Sequence, residues 1–465
     1  MPDVTPTLAR YAAALSYDEL PDEVTEKAAQ LVLDLLGIAL RASVDADSTP
    51  SIRDAVLSFA GDGDASVVGG TRTLAPPHAA LLNAAYAHSL DFDDTHREGS
   101  IHPGAAVIPA VLALGEQHGI DGRRAVAAIV AGYDVTCKLA MALDPKAHYD
   151  RGFHPTGTCG VFGATAAGAS LLGLSAAELE NAFGVNGSQA AASLQFFDNG
   201  AWNKRIHPGL AAHNAIVALE LARRGFVGAS SPIEGKRGFL RGYSDAARPE
   251  RAVEGLGERF EILHTAIKPY PACRYAHAPI DAIVELAEAN ALEPGEVRSV
   301  RIGLSDAGFD LIGDPIERKR RVANVVDGQF SMPFLAAAAI LRRRLGWSDY
   351  DLVGDPGAEA LMQRVEVFRD DEANSVYPEK WMASVEIVTE RGTFADRRWR
   401  TRGEAEDPLS WAEIEAKFDD LASAALPEDG RRAIVDAVRN LPELDDVGEL
   451  GALLRGTVRS PAAHA

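Results

Sequence analysis

The chain has 465 residues, of which 47% are hydrophobic and 24% charged, and its formal net charge is −21. That length exceeds one ordinary core and that balance excludes wholesale disorder, so two or three packed domains are expected. The acidity disfavours nucleic acid and anionic membrane as partners, and an anionic substrate would need a local basic pocket.

The N-terminal stretch MPDVTPTLARYAAALSYDEL has no basic region leading into an apolar one, so no signal peptide is expected. No apolar run reaches about 18 residues, so no membrane span is expected, and a cytoplasmic location is the default. Pro21-Asp22 opens a segment with Val24, Ala28, Leu31, Leu35 and Ile38 at helical spacing. Ala105–Leu114 and Ala125–Tyr133 read as buried helices. Ser175 and Glu178 form a capping box before a helix through Leu179 and Ala182. Ala211–Arg224 is a further helix that Gly225 would end. Small residues, as in GATAAGAS, let helices approach closely and predict a compact many-helix domain.

The texture changes near Phe260. Val300, Ile302 and Leu304 alternate as in a strand, Val365–Phe368 and Val385–Val388 are strand-like, and Glu390-Arg391-Gly392 marks a hairpin turn. Helices over His277–Ala289 and Phe334–Leu345 fall between them, so this part reads as a small α+β unit. Helical texture returns with a second capping box, Ser410 and Glu413, and with Pro427–Val438; the closing SPAAHA reads as a frayed tail.

Several chemistries lack their motifs. There is no GxGxxG after a strand and no GxxxxGK[ST], HExxH or GxSxG, which removes support for dinucleotide oxidoreductases, P-loop NTPases, zincins and serine hydrolases. The three cysteines, Cys137, Cys159 and Cys273, are far apart without a CxxC, which argues against a disulfide framework or a zinc ribbon.

Four polar clusters remain. The first, DFDDTHREGSIHPG from Asp91 to Gly104, gathers Asp91, Asp93, Asp94, Glu98, Thr95, Ser100, His96 and His102 at a helix end and the loop after it. Gly104 opens an apolar helix, so His102 lies near a helix N-terminus, which favours the neutral imidazole of a general base. A loop of caps and turns accounts for the same residues equally well. Asp and His could bind a divalent ion, but no two His stand at i, i+4 and no metal is expected. The second cluster runs from Tyr149 through Arg151 and His154 to Thr156, a polar turn before a small-residue helix. The third is Asn203-Lys204-Arg205-Ile206-His207-Pro208-Gly209, read as lying ahead of a helix, where two cations could cradle a carboxylate; a solvated basic turn is the plain alternative. The fourth, Lys268 to His277, contains Cys273 and Arg274, is stiffened by Pro269 and Pro271, and lies at the change of texture, so it is a rigid linker or one wall of a cleft.

These four motifs, in this order, resemble the MmgE/PrpD family, which includes 2-methylcitrate dehydratase, cis-aconitate decarboxylase and iminodisuccinate epimerase. The likeness spans nearly the whole chain: LDFDDTH with HPGAAVIPAVLALGE, GFHPTGTCGVFGATAAGASLLGL, KRIHPGLAAHNAIVALELARRGF with EGKRGF, and KPYPACRYAHAPIDA. It implies a mainly α fold, with a helical domain over residues 1–264 completed by helices at 405–460, and an α+β lid domain over 265–404. It also implies a homodimer, no organic cofactor, and a small polycarboxylate substrate. The site residues it carries over are Asp91, Thr95, His102, His154, Lys204 and Lys268. The decarboxylase branch places a tyrosine after an F-S-x-x-[YF] stretch; here Phe330-Ser331-Met332-Pro333-Phe334 ends in Phe334, and the missing hydroxyl weighs against decarboxylation.

Every activity named for the family can be built on one step, making or breaking a bond at the carbon next to a carboxylate. His102 and His154 suit acid and base, Lys204 and Lys268 suit carboxylate binding and enolate stabilisation, and Asp91 suits orientation. Thr95, Tyr149, Arg151, Arg205, His207, Arg274 and His277 are candidate substrate contacts. A hydro-lyase is placed first, an epimerase of an iminodisuccinate-like aminodicarboxylate second, and a cis-aconitate-type decarboxylase third.

Overall fold

The computed structural model describes residues 3–456; the tail expectation for SPAAHA lies outside them. The fold is mainly α and divides into two compact units, one running to Ile267 and resuming at Ser410, the other spanning Lys268–Leu409.

The first unit begins with α1 (Val4–Ala14) and α2 (Asp22–Asp45), whose Val24, Ala28, Leu31, Leu35 and Ile38 are buried as the spacing required. A short antiparallel pair, β1 (Asp62–Ser66) and β2 (Thr73–Leu74), precedes α3 (Pro76–Ala87). The two-residue strand β3 (Thr95–His96) follows, then α4 (Gly104–His118), α5 (Gly122–Leu143), α6 (Gly160–Leu172) and α7 (Asn203–Arg223). Close packing is built on small residues. A Cβ at Gly132 of α5 would lie 2.6 Å from Val107 and 2.8 Å from Ala167, so α5 meets α4 and α6 where no side chain fits.

Two sequence expectations change here. α5 is long and apolar enough to cross a membrane by length and composition, yet its whole apolar window is buried inside the protein as a core helix. α7 starts eight residues earlier than the Ala211 expected from sequence, so Lys204 and His207 lie inside its opening turns and not in a loop ahead of it. The Pro208-Gly209 pair looked like a break. Pro208 falls in the sixth position, where the missing N–H costs one early hydrogen bond, and Gly209 allows contact with the Leu81 carbonyl of α3, 2.6 Å from where a Cβ would be.

The first part of this unit closes with β4 (Thr265–Ala266), which pairs with β3 through Thr95–Ala266 and His96–Thr265. The second unit holds α8 (His277–Ala289), α9 (Met332–Arg342) and a four-stranded sheet in the order β6-β5-β7-β8, from β5 (Val297–Leu304), β6 (Val365–Arg369), β7 (Ala383–Thr389) and β8 (Gly392–Arg398). β5 is parallel to β6 and antiparallel to β7, and the Glu390-Arg391 turn joins β7 to β8, with Gly392 at φ 139°. The chain then returns to the first unit with α10 (Trp411–Ala422), opened by the Ser410/Glu413 capping box and packed on α2.

Candidate active site

The loop between α3 and α4 is fixed from several sides. His88 caps α3, Asp91 takes a left-handed φ of 52°, and His96 bridges both to β4 and to Ile101. The Asp94 carboxylate accepts the first amide of α4, that of Gly104, at 3.2 Å and the Tyr133 hydroxyl at 2.7 Å. A Cβ at Gly104 would stand 2.4 Å from that hydroxyl, so the glycine is required by the approach of α5. Burial, with the charge of Asp93 beside it, raises the Asp94 pKa to about 8, so this carboxyl is largely protonated at neutral pH. Lys417 of α10 secures the loop from below: it pairs with buried Asp34 at 2.6 Å, donates to the Phe92 carbonyl at 3.1 Å, and lies 3.7 Å from the centre of the Phe92 ring.

Around this loop four imidazoles gather. The His88 and His102 rings meet edge to face at 4.9 Å, His88 stacks on His154 at 5.7 Å, and His154 lies 5.4 Å from His207. His88 Nδ1 is 2.6 Å from Asp93 Oδ2, both fully buried, and His102 Nδ1 is 3.4 Å from the same oxygen. His102 Nδ1 is also 2.7 Å from the Asp94 carbonyl oxygen, which can only accept, so the proton is on Nδ1 and the lone pair of the neutral ring is on Nε2. The His102 backbone amide donates to Thr156 Oγ1 at 3.2 Å. His154 and His207 share one proton between their Nδ1 atoms, 3.1 Å apart.

Burial, then the neighbouring imidazoles and Lys204, push His154 well below the ordinary imidazole range, and burial with His88 and Lys204 lowers His207 to about 4. Both are neutral at pH 7. Lys204 Nζ pairs with Asp91 Oδ1 at 2.6 Å. Burial acts to lower its pKa, but Asp91, with Asp93 and Tyr149 further off, outweighs burial and raises it, so Lys204 is a cation. The side chains of His102 and Lys204 keep 13% and 18% of their surface exposed, so both can be reached from outside the core. The arrangement therefore offers neutral imidazole bases beside a fixed ammonium, which is what proton removal next to a carboxylate requires.

Other residues singled out from sequence have their own places. Thr95 is buried and its Oγ1 has no hydrogen-bond partner among the described residues. Tyr149 donates to the Ser100 carbonyl at 3.1 Å, tying the second cluster to the first loop. Arg205 donates to Ser48 at 3.0 Å, and Arg151 is exposed, donating to the Gly242 carbonyl and facing Asp245 at 3.6 Å. Lys268, Arg274 and His277 belong to the second unit. There His277 donates Nε2–H to the Ala272 carbonyl and accepts from Arg274, which pairs with Glu404.

Sequence reasoning passed over His88 and gave Asp93 no role of its own within the first cluster. His88 looked like a lone histidine ending an apolar helix, LLNAAYAHSL; its spacing of five from Asp93, across a helix end, was the available signal. His88, Asp93 and His102 offer ligand atoms within 4.8 Å of one another, a grouping of the kind that can hold a metal ion. Two ligands on one zinc ion at bonds of about 2.1 Å stand roughly 3.3 Å apart at the tetrahedral angle. The 2.6 Å separation of His88 Nδ1 and Asp93 Oδ2 is that of a hydrogen bond.

Comparison with known proteins agrees with the order of these motifs. Residues 6–252 match the MmgE/PrpD N-terminal domain and residues 270–443 the MmgE/PrpD C-terminal domain. A cis-aconitate decarboxylase of Aspergillus terreus is 27% identical, covering 98% of this chain and 97% of that protein. A cis-aconitate decarboxylase of Homo sapiens is 26% identical over 97% of this chain and 95% of its own length. A cis-aconitate decarboxylase-like protein, oryM, of Aspergillus oryzae is 24% identical, with 98% of both chains covered.

Proposed function

Because the chain belongs to the MmgE/PrpD family over most of its length, we propose that it is a lyase acting at the carbon next to a carboxylate of a small polycarboxylate, with loss of water as the first reading. The observation that carries this reading is the gathering of partly exposed His102 and the Lys204 ammonium around the same buried imidazole, that of His154. Lys204 holds a substrate carboxylate and stabilises the enolate-like charge that develops on it. His102 Nε2 takes the α-proton. The C–H electron pair forms the new double bond, the β-hydroxyl leaves, and the imidazolium returns its proton to that hydroxyl as water. One proton shuttles, and hydroxy acid becomes alkene and water with His102 restored. Thr95, with a buried hydroxyl that the described residues leave unbonded, is a carboxylate contact in this scheme.

Decarboxylation is the second reading, favoured by the names of the full-length relatives. Against it stands Phe334, buried at the start of α9 with its ring 5.6 Å from that of Tyr350 and no hydroxyl of its own. Incubation with citrate-like, 2-methylcitrate-like, cis-aconitate and iminodisuccinate substrates in deuterium oxide, followed by proton NMR, separates the possibilities. A new alkene signal from a hydroxy acid is the expected result. Loss of carbon dioxide from cis-aconitate selects the second reading, and α-deuteration without alkene selects an epimerase. No product and no exchange with any of them overturns the proposal.

A further inference from the structure

His88 is the most deeply placed member of the imidazole cluster, 1% exposed at the end of α3, and nothing in the scheme above uses it. Its Nδ1 is committed to Asp93 at 2.6 Å, while its Nε2 is buried with no hydrogen-bond partner among the described residues. A buried polar atom left without a partner costs about 1–3 kcal/mol, so Nε2 adds nothing to the stability of the core. The same Asp93 oxygen lies 3.4 Å from His102 Nδ1. One carboxylate oxygen therefore stands between two imidazoles, fixed by one and facing the other.

We infer that His88 and Asp93 are a positioning pair for His102: His88 holds the Asp93 carboxylate in place beside the Nδ1–H that the Asp94 carbonyl fixes, and Asp93 steadies the imidazolium formed when His102 takes a proton. The last clause rests on the function proposed above; the hydrogen-bonding order does not. A proton on Nδ1 of each ring satisfies both contacts to Asp93 and the contact to the Asp94 carbonyl. The other charged and titratable groups around the pair act in both directions. Asp91 of the loop and Asp34 of α2 favour imidazolium, while Asp94, largely protonated, contributes little charge. Lys204 and His207 of α7 and His154 disfavour it, Lys417 of α10 offsets Asp34, and Tyr133 of α5 is bonded to Asp94. The Asp93 Oδ2 atom reaches both rings.

The test uses full-length protein labelled with 15N-histidine, with long-range proton–nitrogen spectra recorded across pH and His102 assigned by its loss in His102→Gln. Wild type should show His88 and His102 both protonated on Nδ1. In Asp93→Asn the His102 titration midpoint should fall by about one pH unit or more. Turnover of the substrate found above should drop roughly 100-fold in that variant, with KM held within about threefold, as for a lost orienting carboxylate. His88→Asn, whose amide can donate to Asp93 from near the Nδ1 position, should keep the wild-type midpoint and most of the rate; His88→Leu should lose both. An unchanged His102 midpoint in Asp93→Asn, or a His88 proton found on Nε2, overturns the inference. Should Asp93→Asn or His88→Leu fail to fold, the wild-type tautomers and His88→Asn decide it. If no substrate is turned over by the wild type, the functional reading fails while the titration still judges the pair.

Discussion

Two buried polar clusters share the loop between α3 and α4, and the protein satisfies them differently. On one side His96 donates Nε2–H to Glu261 at 3.1 Å and accepts the Gly99 amide at 3.1 Å on Nδ1. Glu261 in turn accepts Lys138 at 3.0 Å, Lys138 donates to the Glu254 carbonyl, and Asp134 takes the Glu261 amide and the Tyr11 hydroxyl. No side-chain atom of His96, Glu261, Lys138 or Asp134 is left buried without a partner. On the other side the cluster of His88, His102, His154 and Lys204 keeps an unmatched imidazole nitrogen, and the neighbouring Thr95 an unmatched hydroxyl. A network that closes on itself holds structure; one that leaves acceptors and donors open is arranged for something outside the fold.

This contrast can be broken from either end. The largest effect is expected at the open cluster: His102→Ala and Lys204→Ala should each lower turnover by about a thousandfold or more while far-UV circular dichroism stays native. Wild-type rates in both purified variants would remove the site. At the closed cluster the order reverses. Glu261→Gln leaves Lys138 buried without its counter-charge and should cost about 3–5 kcal/mol in denaturant unfolding, with the rate per folded molecule little changed. A large rate loss without a stability loss would make the closed cluster chemical after all.

The two clusters should also separate along the pH axis. Burial alone would raise the Glu261 pKa, but His96 and Lys138 outweigh it and hold it at about 2, below its ordinary 4.5. Its stabilisation is therefore complete above pH 4.5 and is lost as pH falls towards 2. His207 is lowered from 6.5 to about 4, so the fold favours its neutral form, and stability is lost from pH 6.5 downwards to 4. The slope of unfolding free energy against pH should become shallower between 6.5 and 4 in His207→Gln, with His154 keeping part of it, and shallower below 4.5 in Glu261→Gln. The smallest effect belongs to Arg151, exposed and engaged with Gly242 and Asp245. Arg151→Ala should change kcat/KM by no more than about twofold, as exposed ion pairs generally do; a larger loss would extend the site to that surface.

Much of both units is readable from periodicity, caps and turns. The α2 spacing, the Ser175/Glu178 and Ser410/Glu413 boxes and the Glu390-Arg391-Gly392 turn are local signals, set by side chains within a few residues of the backbone they direct. The start of α7 was not readable, because Pro208 and Gly209 count against a helix unless α3 lies against it and uses the missing Cβ. The first half of α5, Ala125–Tyr133, is readable as a buried helix, but its second half escaped in the opposite way. Asp134 and Lys138 interrupt its apolar run, and only the partners Tyr11, Glu261 and Glu254 make them core residues.

The sequence by itself determined the residue types of the chemistry and the family they resemble, because His102, His154, Lys204 and Lys268 lie in short motifs whose order is fixed along the chain. What only the tertiary structure decided is which of those groups work together. Hydrogen bonds and ion pairs act over about 3 Å, while His88, His154 and His207 come from segments more than fifty residues apart. Asp93, one of four carboxylates in the first polar cluster, became the oxygen between two imidazoles only when the end of α3 and the start of α4 were brought together.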